Sequence, residues 1–350
     1  MAGGSEAPVL VLTDVIDPTA DLVVAELEDR GVPVMRCNPG DFPQKITLVA
    51  RLDGESMSGR LVYADRHTGR HDEIALEAIR SVYYRRPSAF RLSEHVPDQW
   101  RFWAAREARQ GFGGIISALP RWLNHPTDNT FAEYKPVQLR YAAECGLTVP
   151  RTLITNDPGE ARRFADEVGT VVHKRLSASP GPGDPFTHIV DPDDIGVAET
   201  AHLFQEYITK AYEIRLTVVD QVMWAVRIDV PDDDDAAGVV DWRADYANLT
   251  YSLVTVPEAL RAAVTNLMYG LRLRFAALDF GVTPNGEPVF FEINPNGQWA
   301  WLQEHVGLDI AHTIADALTV DERVAAHKSR TPASPVTATS STSGGHLRPV

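Results

Sequence analysis

The most informative part of the sequence is residues 275–299, FAALDFGVTPNGEPVFFEINPNGQW. It contains two short apolar runs of alternating character, 276–280 and 289–294, with Asn285-Gly286 between them. Asn-Gly is a strong short-range signal for a β-hairpin, because both residues tolerate a positive φ. The sequence therefore predicts two antiparallel strands joined by a tight turn.

The register of this hairpin is predicted to bring two carboxylates together. If Asn285 and Gly286 are the two loop residues, counting outward pairs Asp279 directly with Glu292. Side chains alternate along a strand, so Asn294 shares a face with Glu292. A four-residue loop would shift this register.

Asp279, Glu292 and Asn294 are predicted to bind a metal ion. Cross-strand partners lie only about 5 Å apart at Cβ, so opposed carboxylates repel each other unless a cation is present. Oxygen ligands suit Mg²⁺, which completes its shell with water and phosphate oxygens. A solvated acidic hairpin face is the alternative interpretation.

The apolar neighbours of these residues favour the metal site over a solvated face. Phe290 and Phe291 lie beside the predicted ligands, and the small Ala277 lies opposite Asn294 in the predicted register. Alternation turns Phe291 and Ile293 to the other side, where we expect a core.

Composition excludes several classes of protein. The chain has 350 residues, 44% of them hydrophobic, so two or three domains are expected. A formal net charge of −15 argues against nucleic acid as a partner, because such binding depends on phosphate neutralisation by Lys and Arg. No apolar run is long enough to span a membrane, and the first residues lack the basic region of a signal peptide. Cys37 and Cys145 have no metal-type spacing, which indicates reduced thiols and a cytoplasmic protein.

The order of predicted elements indicates a mixed α/β (α+β) fold. The first segment opens with a strand at 9–13, a helix at 20–30 and a strand at 32–36, a βαβ unit that lacks G-x-G-x-x-G. Four segments are predicted, namely 1–122, 123–205, 206–325 and a Ser/Thr/Pro-rich tail at 326–350, which we expect to be disordered.

Further elements follow from periodicity and from helix start and stop signals. Asp128 or Thr130 is predicted to cap one helix that runs to about Glu144. Other predicted helices are 98–119, 158–168, 256–271 and 309–318, and other predicted strands are 46–51, 59–64, 81–86, 149–155, 170–176, 203–210, 213–219 and 222–229.

Several basic residues are candidates for binding an anion. Lys174 lies on a predicted strand among apolar residues, where a partly desolvated ammonium would favour phosphate; an edge lysine whose amine reaches solvent is the alternative. Arginine suits carboxylate and phosphate oxygens, although surface ion pairing explains any single pair equally well. The acid–arginine pairs are Glu213 with Arg215, Arg227 with Asp229, and Asp241 with Arg243.

Arg85 and Arg86 form a further candidate site at the end of a predicted strand. They follow two tyrosines and precede Pro87. The two arginines could hold an acidic peptide, or they could be an exposed strand end.

Together these motifs resemble the ATP-grasp superfamily of carboxylate–amine and carboxylate–alcohol ligases, over about residues 8–320. Within it, the chain is most similar to the peptide maturases that make graspetides, the microviridin-like peptides with side-chain crosslinks. The strings that carry this resemblance are YRRP at 84–87, GLTVPRTLITND at 146–157, EIRLTV at 213–218, DWR at 241–243 and EINPNGQW at 292–299.

The resemblance implies an ATP-grasp fold behind an N-terminal Rossmann-like pre-ATP-grasp domain (1–122), with a central subdomain (123–205) and a C-terminal subdomain that holds Mg²⁺ (206–325). It implies that Lys135, Lys174, Gln205, Glu206, Tyr207, Ile208 and Glu213 bind ATP, and that Asp279, Glu292 and Asn294 bind the metal. It also implies catalytic roles for Lys174, Arg215 and Arg243, and peptide contacts at Arg85, Arg86, Arg227 and Asp229.

The implied reaction is ATP-dependent ligation within a ribosomal precursor peptide, which has a leader and an acidic core with Ser and Thr. Asp or Glu carboxylates become acyl phosphates and are joined to Ser or Thr hydroxyls or to Lys amines. The resemblance also implies a homodimer. Two rival interpretations remain open: a ligase for small amino acids or protein C-termini, and a non-catalytic ATP-binding regulator.

Overall fold

A four-stranded parallel sheet of order β2-β1-β6-β7 is the base of the N-terminal part and confirms the predicted βαβ opening. The computed structural model describes residues 7–177, 187–229 and 249–320, so Arg243 and the predicted tail at 326–350 lie outside the described residues. The elements here are β1 Val9–Leu12, α1 Pro18–Asp29, β2 Val34–Cys37, β3 Ile46–Asp53, β4 Ser56–Asp65, β5 Arg70–Ala75, β6 Ser81–Tyr84, α2 Asp98–Ser117 and β7 Trp122–Leu123.

Strand β1 is buried on both faces, as expected for a parallel sheet covered on both sides. Val9 and Val11 pack into one apolar core with α1, and Leu10 and Leu12 pack into another core with α2. Helix α1 begins where the Asp17 carboxylate accepts a 3.1 Å hydrogen bond from the Ala20 amide, with proline at the next position. Strands β3, β4 and β5 form a separate antiparallel sheet, which confirms the predicted strands at 46–51 and 59–64.

The middle of the chain carries an antiparallel sheet of order β10-β9-β11-β8. Its elements are α3 Pro126–Ala132, α4 Lys135–Glu144, β8 Thr152–Thr155, α5 Pro158–Val168, β9 Val171–Lys174, β10 His188–Ile189 and β11 His202–Glu206. Helix α5 packs on one face of this sheet through Ala161, Val171 and Phe204, and the other face lines a cleft.

The prediction of one helix up to Glu144 was wrong, because two helices meet at Glu133 and Tyr134. Pro136 lacks an amide hydrogen, so it fits the first turn of a new helix and not the interior of a continuous one. The predicted caps were also wrong: the side chain that caps α3 is His125, which accepts a hydrogen bond from the Thr127 amide.

The C-terminal part is built on a five-stranded antiparallel sheet of order β14-β13-β12-β15-β16. Its elements are β12 Tyr212–Val219, β13 Val222–Asp229, β14 Thr250–Val254, α6 Glu258–Gly270, β15 Phe275–Val282, β16 Pro288–Asn294, α7 Ala300–Val306 and α8 Ile310–Thr319. Helices α4 and α6 cover one face of the sheet. Helices α1, α7 and α8 cover part of the other face, and the rest of that face is open to the cleft.

The predicted pairing of Asp279 with Glu292 is confirmed, although the turn is not the predicted one. Thr283 and Glu287 close the hairpin, so the loop is one residue longer than the Asn285-Gly286 pair. The register shifts back at Phe291, where an extra residue forms a β-bulge.

This bulge turns Phe291 toward the cleft, so the prediction of a core position for this residue was wrong. Gly281 makes room for the ring, since a Cβ at that position would lie 2.5 Å from Phe291 Cζ. Ile293 is fully buried, as predicted.

Asn124 connects β7 to the hairpin. Its side-chain amide donates to the carbonyls of Phe275 (2.8 Å) and Pro295 (3.1 Å). Its side-chain carbonyl accepts from the amides of Arg274 (2.8 Å) and Phe275 (2.9 Å). One buried side chain therefore satisfies four backbone groups that join the N-terminal part to β15 and to the segment after β16.

No helix in the described ranges is long and apolar enough to cross a membrane.

We expect Asn124→Ala to lower the free energy of unfolding by about 2–4 kcal/mol, because it leaves buried backbone groups without hydrogen-bond partners. Urea denaturation followed by circular dichroism measures this change. Asn156→Ala is the matched control on an exposed turn and should change the free energy by less than about 0.5 kcal/mol. Equal stability of the two variants would contradict the anchoring role of Asn124.

Candidate active site

A cleft of about 1050 Å³ lies between the four-stranded antiparallel sheet and the five-stranded sheet. The end of β6 and the junction of α3 with α4 close it on the N-terminal side. The cleft brings together most of the residues predicted from sequence: Arg85, Arg86, Lys135, Lys174, Gln205, Glu206, Tyr207, Ile208, Glu213, Arg215, Asp279, Glu292 and Asn294.

The two opposed carboxylates of the hairpin are each neutralised by a cation. Nη1 of Arg215 donates to both oxygens of Asp279, at 2.7 and 2.8 Å, across the β12–β15 pairing. Nζ of Lys135, at the start of α4, lies 2.5 Å from Oε2 of Glu292. These contacts lower the cost of holding two like charges face to face.

Two neighbouring amides fix the orientation of Glu292. Nδ2 of Asn294 donates to Oε1 of Glu292 at 3.0 Å. Gln138 on α4 is buried and bonds the backbone of Ile293 in both directions, through Nε2 to the carbonyl (2.9 Å) and through Oε1 from the amide (3.2 Å). Strand β16 is thereby fixed against α4, which also carries Lys135.

Lys174 points into the cleft from β9, on the same side as Val172. Its ammonium lies 4.6 Å from the centre of the Phe291 ring, a cation–π contact. Burial lowers the pKa of Lys174 to about 8, and the carboxylate of Glu292 opposes that change. The residue is therefore a desolvated cation on the wall opposite the hairpin.

Glu213 and Arg215 point into the cleft from β12, whereas Ile214 packs into the core, as alternation predicts. Lys210, just before β12, lies with Nζ 2.5 Å from Oε1 of Glu213. Sequence reasoning missed Lys210; its spacing of three residues from Glu213 across a turn is the signal that could have identified it.

The segment Gln205–Ile208 lines the cleft at the end of β11. Gln205 is buried, and its Nε2 donates to Oγ1 of Thr152 at 2.9 Å. Oε1 of Glu206 accepts from the Arg151 amide at 2.8 Å. These contacts fix the side chains of 205 and 206 against β8.

Arg85 is 1% exposed and holds the loop that follows β16. Its Nη1 donates to the carbonyl of Gly297 (3.2 Å), and its Nη2 donates to Oε1 of Gln298 (3.2 Å). Gly297 is required here, since a Cβ would lie 2.4 Å from Cβ of Ala277 and 2.8 Å from Nη2 of Arg215. The guanidinium of Arg85 therefore stabilises the loop after β16. Arg86 is the arginine of this pair that remains available to bind a ligand in the cleft.

The pair Arg227 and Asp229 lies on the opposite face of the sheet from the cleft. Arg227 is the register partner of Ile214, and cross-strand partners share a face. Arg227 bonds Asp229 at 2.8–2.9 Å through Nε and stacks 3.8 Å from the Tyr212 ring. Arg227 and Asp229, which the resemblance implies as peptide contacts, therefore do not line the cleft.

The donor set of the hairpin fits a divalent ion. Within the described ranges, no group of three or more His, Cys, Asp and Glu side chains could hold a metal. An ion at this point would rely on Asp279, Glu292 and Asn294, with further ligands from outside the protein. That pattern is typical of Mg²⁺.

Comparison with known proteins agrees with this geometry. A family model described as the MvdD pre-ATP grasp domain matches residues 8–130. No curated protein matches the chain.

Several solved structures share the fold over nearly the whole chain. Macrocyclase MdnB from Microcystis aeruginosa MRC is 30% identical with a TM-score of 0.72, covering 89% of this chain and 99% of MdnB. Macrocyclase MdnC from the same organism, bound with precursor peptide MdnA, is 27% identical with a TM-score of 0.77, covering 90% of this chain and all of MdnC, 100%.

A RiPP-associated ATP-grasp ligase from Chryseobacterium gregarium, in complex with ADP and a leader and core peptide, is 27% identical with a TM-score of 0.77, covering 89% of this chain and 96% of that one. Together, the identity to MdnB over nearly its full length, the matching N-terminal domain and the cleft show that this chain belongs to the graspetide family of ATP-grasp peptide macrocyclases.

Proposed function

We propose that this enzyme uses ATP to activate Asp or Glu side chains of a ribosomal precursor peptide as acyl phosphates. It then joins them to Ser or Thr hydroxyls as esters, or to Lys as amides, so that the peptide closes into rings. The observation that carries this proposal is the pair of opposed carboxylates, Asp279 and Glu292, in one cleft with Lys174. The activities of MdnB and MdnC as macrocyclases support it.

ATP would bind between the two antiparallel sheets. Residues Gln205–Ile208 and Glu213 offer contacts for the base and ribose, and Lys135 and Lys174 offer charge for the phosphates. The complex of the Chryseobacterium gregarium ligase with ADP supports nucleotide binding by this chain.

Asp279, Glu292 and Asn294 would hold Mg²⁺. When bound, the ion would stabilise charge that develops on phosphate oxygens. Two cations of the chain itself, Arg215 and Lys174, would orient the transferring phosphoryl group and neutralise it from two sides. We also assign a catalytic role to Arg243, which lies outside the described residues.

The precursor would bring an acidic core with Ser or Thr, as well as a leader segment. Precursor-peptide binding by MdnC supports a peptide partner. Arg86 lines the cleft, and within the described ranges its side chain forms no ion pair. Desolvation, followed by the charge of Arg85, lowers the pKa of Arg86, so a peptide carboxylate would stabilise its charged form.

We further propose a homodimer that acts in the cytoplasm. The segments 1–122, 123–205 and 206–325 remain the proposed domains. The following experiment distinguishes this proposal from two alternatives. One is a ligase that acts on a different acceptor, and the other is a regulator that binds ATP without catalysis.

Incubation with ATP, Mg²⁺ and an acidic peptide that carries Ser and Thr should remove one water from the peptide for every ring closed. Mass spectrometry measures that loss, and a parallel assay measures ADP. A ligase for small substrates would release ADP with amino acids and leave the peptide mass unchanged, and a regulator would release none.

We expect Glu292→Gln to lower the rate of water loss by at least about 10²-fold, because the amide removes a metal-binding charge while keeping the shape of the side chain. Mass spectrometry of the peptide is the measurement. Glu55→Gln, in the exposed β3–β4 turn, is the control and should leave the rate unchanged. Rings that form at the normal rate in Glu292→Gln would remove Glu292 from the metal site.

Nucleotide affinity should depend on the charge of Lys174. Its pKa, about 8, lies below the ordinary value, so the ammonium is present below pH 8 and is lost as pH rises. Glu292, Glu213, Lys135 and Lys210 are the charged groups that act on it.

We therefore expect ADP affinity, measured by calorimetry, to fall by about 10-fold or more between pH 7.5 and 10. Bound phosphate raises the pKa of the lysine, so the midpoint of this fall should lie above 8. Lys174→Arg keeps its charge and should flatten the profile, whereas an unchanged pH dependence in that variant would show that another group is responsible.

Arg86→Gln should weaken binding of the acidic core peptide by about 10-fold, because one charge-assisted hydrogen bond is lost. Fluorescence anisotropy measures peptide affinity, and ADP binding serves as an internal check that should not change. Arg60→Gln, at an exposed side chain of β4, is the matched control. Peptide affinity that does not differ between the two variants would refute the proposed contact.

A further inference from the structure

Glu133 differs from the other carboxylates of the cleft. Among the residues that the structure describes, five carboxylates line it: Glu133, Glu206, Glu213, Asp279 and Glu292. The other four each accept a hydrogen bond from a backbone amide, a lysine or an arginine. Within residues 7–177, 187–229 and 249–320, the side chain of Glu133 accepts no hydrogen bond and forms no ion pair.

The chemistry of Glu133 follows from this difference. A lysine or arginine beside a carboxylate stabilises its ionised form, so the carboxylate is a weak base. Desolvation in the cleft wall raises the pKa of Glu133, and no cation among the described residues reverses the effect. The carboxylate is therefore a stronger proton acceptor than an ordinary glutamate.

The backbone ties Glu133 closely to the metal-binding hairpin. Nε2 of Gln138 donates to the carbonyl of Ala132 at 2.7 Å and to the carbonyl of Ile293 at 2.9 Å. Ala132 directly precedes Glu133, and Ile293 directly follows Glu292. The side-chain nitrogen of Gln138 therefore connects the residue before Glu133 to the residue after Glu292.

The end of β6 contributes the rest of this wall. Burial is the main cause that raises the pKa of the Tyr84 hydroxyl, and the charge of Glu133 is the second cause. Tyr84 therefore lies near Glu133. Arg86 lines the same side of the cleft. Glu133 and Arg86 therefore both line the cleft, and neither has an ion-pair partner within the described residues.

We propose that Glu133 is the general base for the acceptor side chain of the peptide. The acceptor oxygen attacks the carbonyl carbon of the acyl phosphate, and the bond from that carbon to the phosphate oxygen breaks. The phosphate leaves with the electron pair, and the hydroxyl proton passes to Glu133. This inference rests on the proposed function and assigns a residue to its second half-reaction.

Hydroxylamine separates the two halves of the reaction, because it captures an acyl phosphate as a hydroxamate without help from a protein base. We expect Glu133→Gln, given ATP, Mg²⁺ and the acidic peptide, to form ADP and hydroxamate at close to the wild-type rate. Without hydroxylamine, ring closure in this variant should be slower by about 10²–10⁴-fold, the usual contribution of a general base. Mass spectrometry distinguishes hydroxamate from ring.

Glu144→Gln, on the exposed end of α4, is the control and should match wild type in both assays. Ring closure at the wild-type rate in Glu133→Gln would overturn the assignment. So would loss of hydroxamate in a folded variant, since Glu133 would then serve carboxylate activation. Wild-type enzyme that forms neither ADP nor hydroxamate with the peptide would refute the proposed function itself, and the inference with it.

Discussion

The opposition of Asp279 and Glu292 across one hairpin is the constraint on which the cleft depends. Two unit charges about 5 Å apart repel by about 3 kcal/mol at an effective dielectric constant near 20. Arg215 on β12 and Lys135 on α4 offset this repulsion from two directions. Residues suited to bind phosphate therefore also stabilise the folded hairpin, so function and stability share the same side chains.

The hairpin and its opposed carboxylates could be predicted because Asn-Gly and strand alternation are local signals. The bulge at Phe291 could not, since it depends on contacts between distant parts of the chain. The ring meets Lys174 from another sheet and lies over Gly281, which leaves space for it. A loop one residue longer than predicted and a bulge of one residue cancel, so the predicted register at Asp279 is correct although its derivation was not.

The roles of the individual arginines were beyond sequence reasoning for a related reason. Arg85 and Arg86 are adjacent and chemically identical, yet Arg85 is buried against the loop after β16, whereas Arg86 is exposed in the cleft. Arg227 shares a strand pattern with Arg215, but the register of β12 with β13 puts it on the opposite face. Alternation along a strand shows which residues share a face of the sheet. The elements that pack against the sheet decide which of the two faces is the functional one.

The N-terminal part contributes directly to the cleft through buried polar contacts. Arg85 donates to the loop after β16, and Asn124 donates to both ends of the segment that includes the hairpin. Such groups are costly to leave unpaired, so they resist separation of the two parts. Arg86 and the end of α3 are consequently held in a defined position relative to Asp279 and Glu292. A peptide in the cleft would thus contact the paired charges of the hairpin. It would also contact Arg86 and Glu133, which have no ion-pair partner among the described residues.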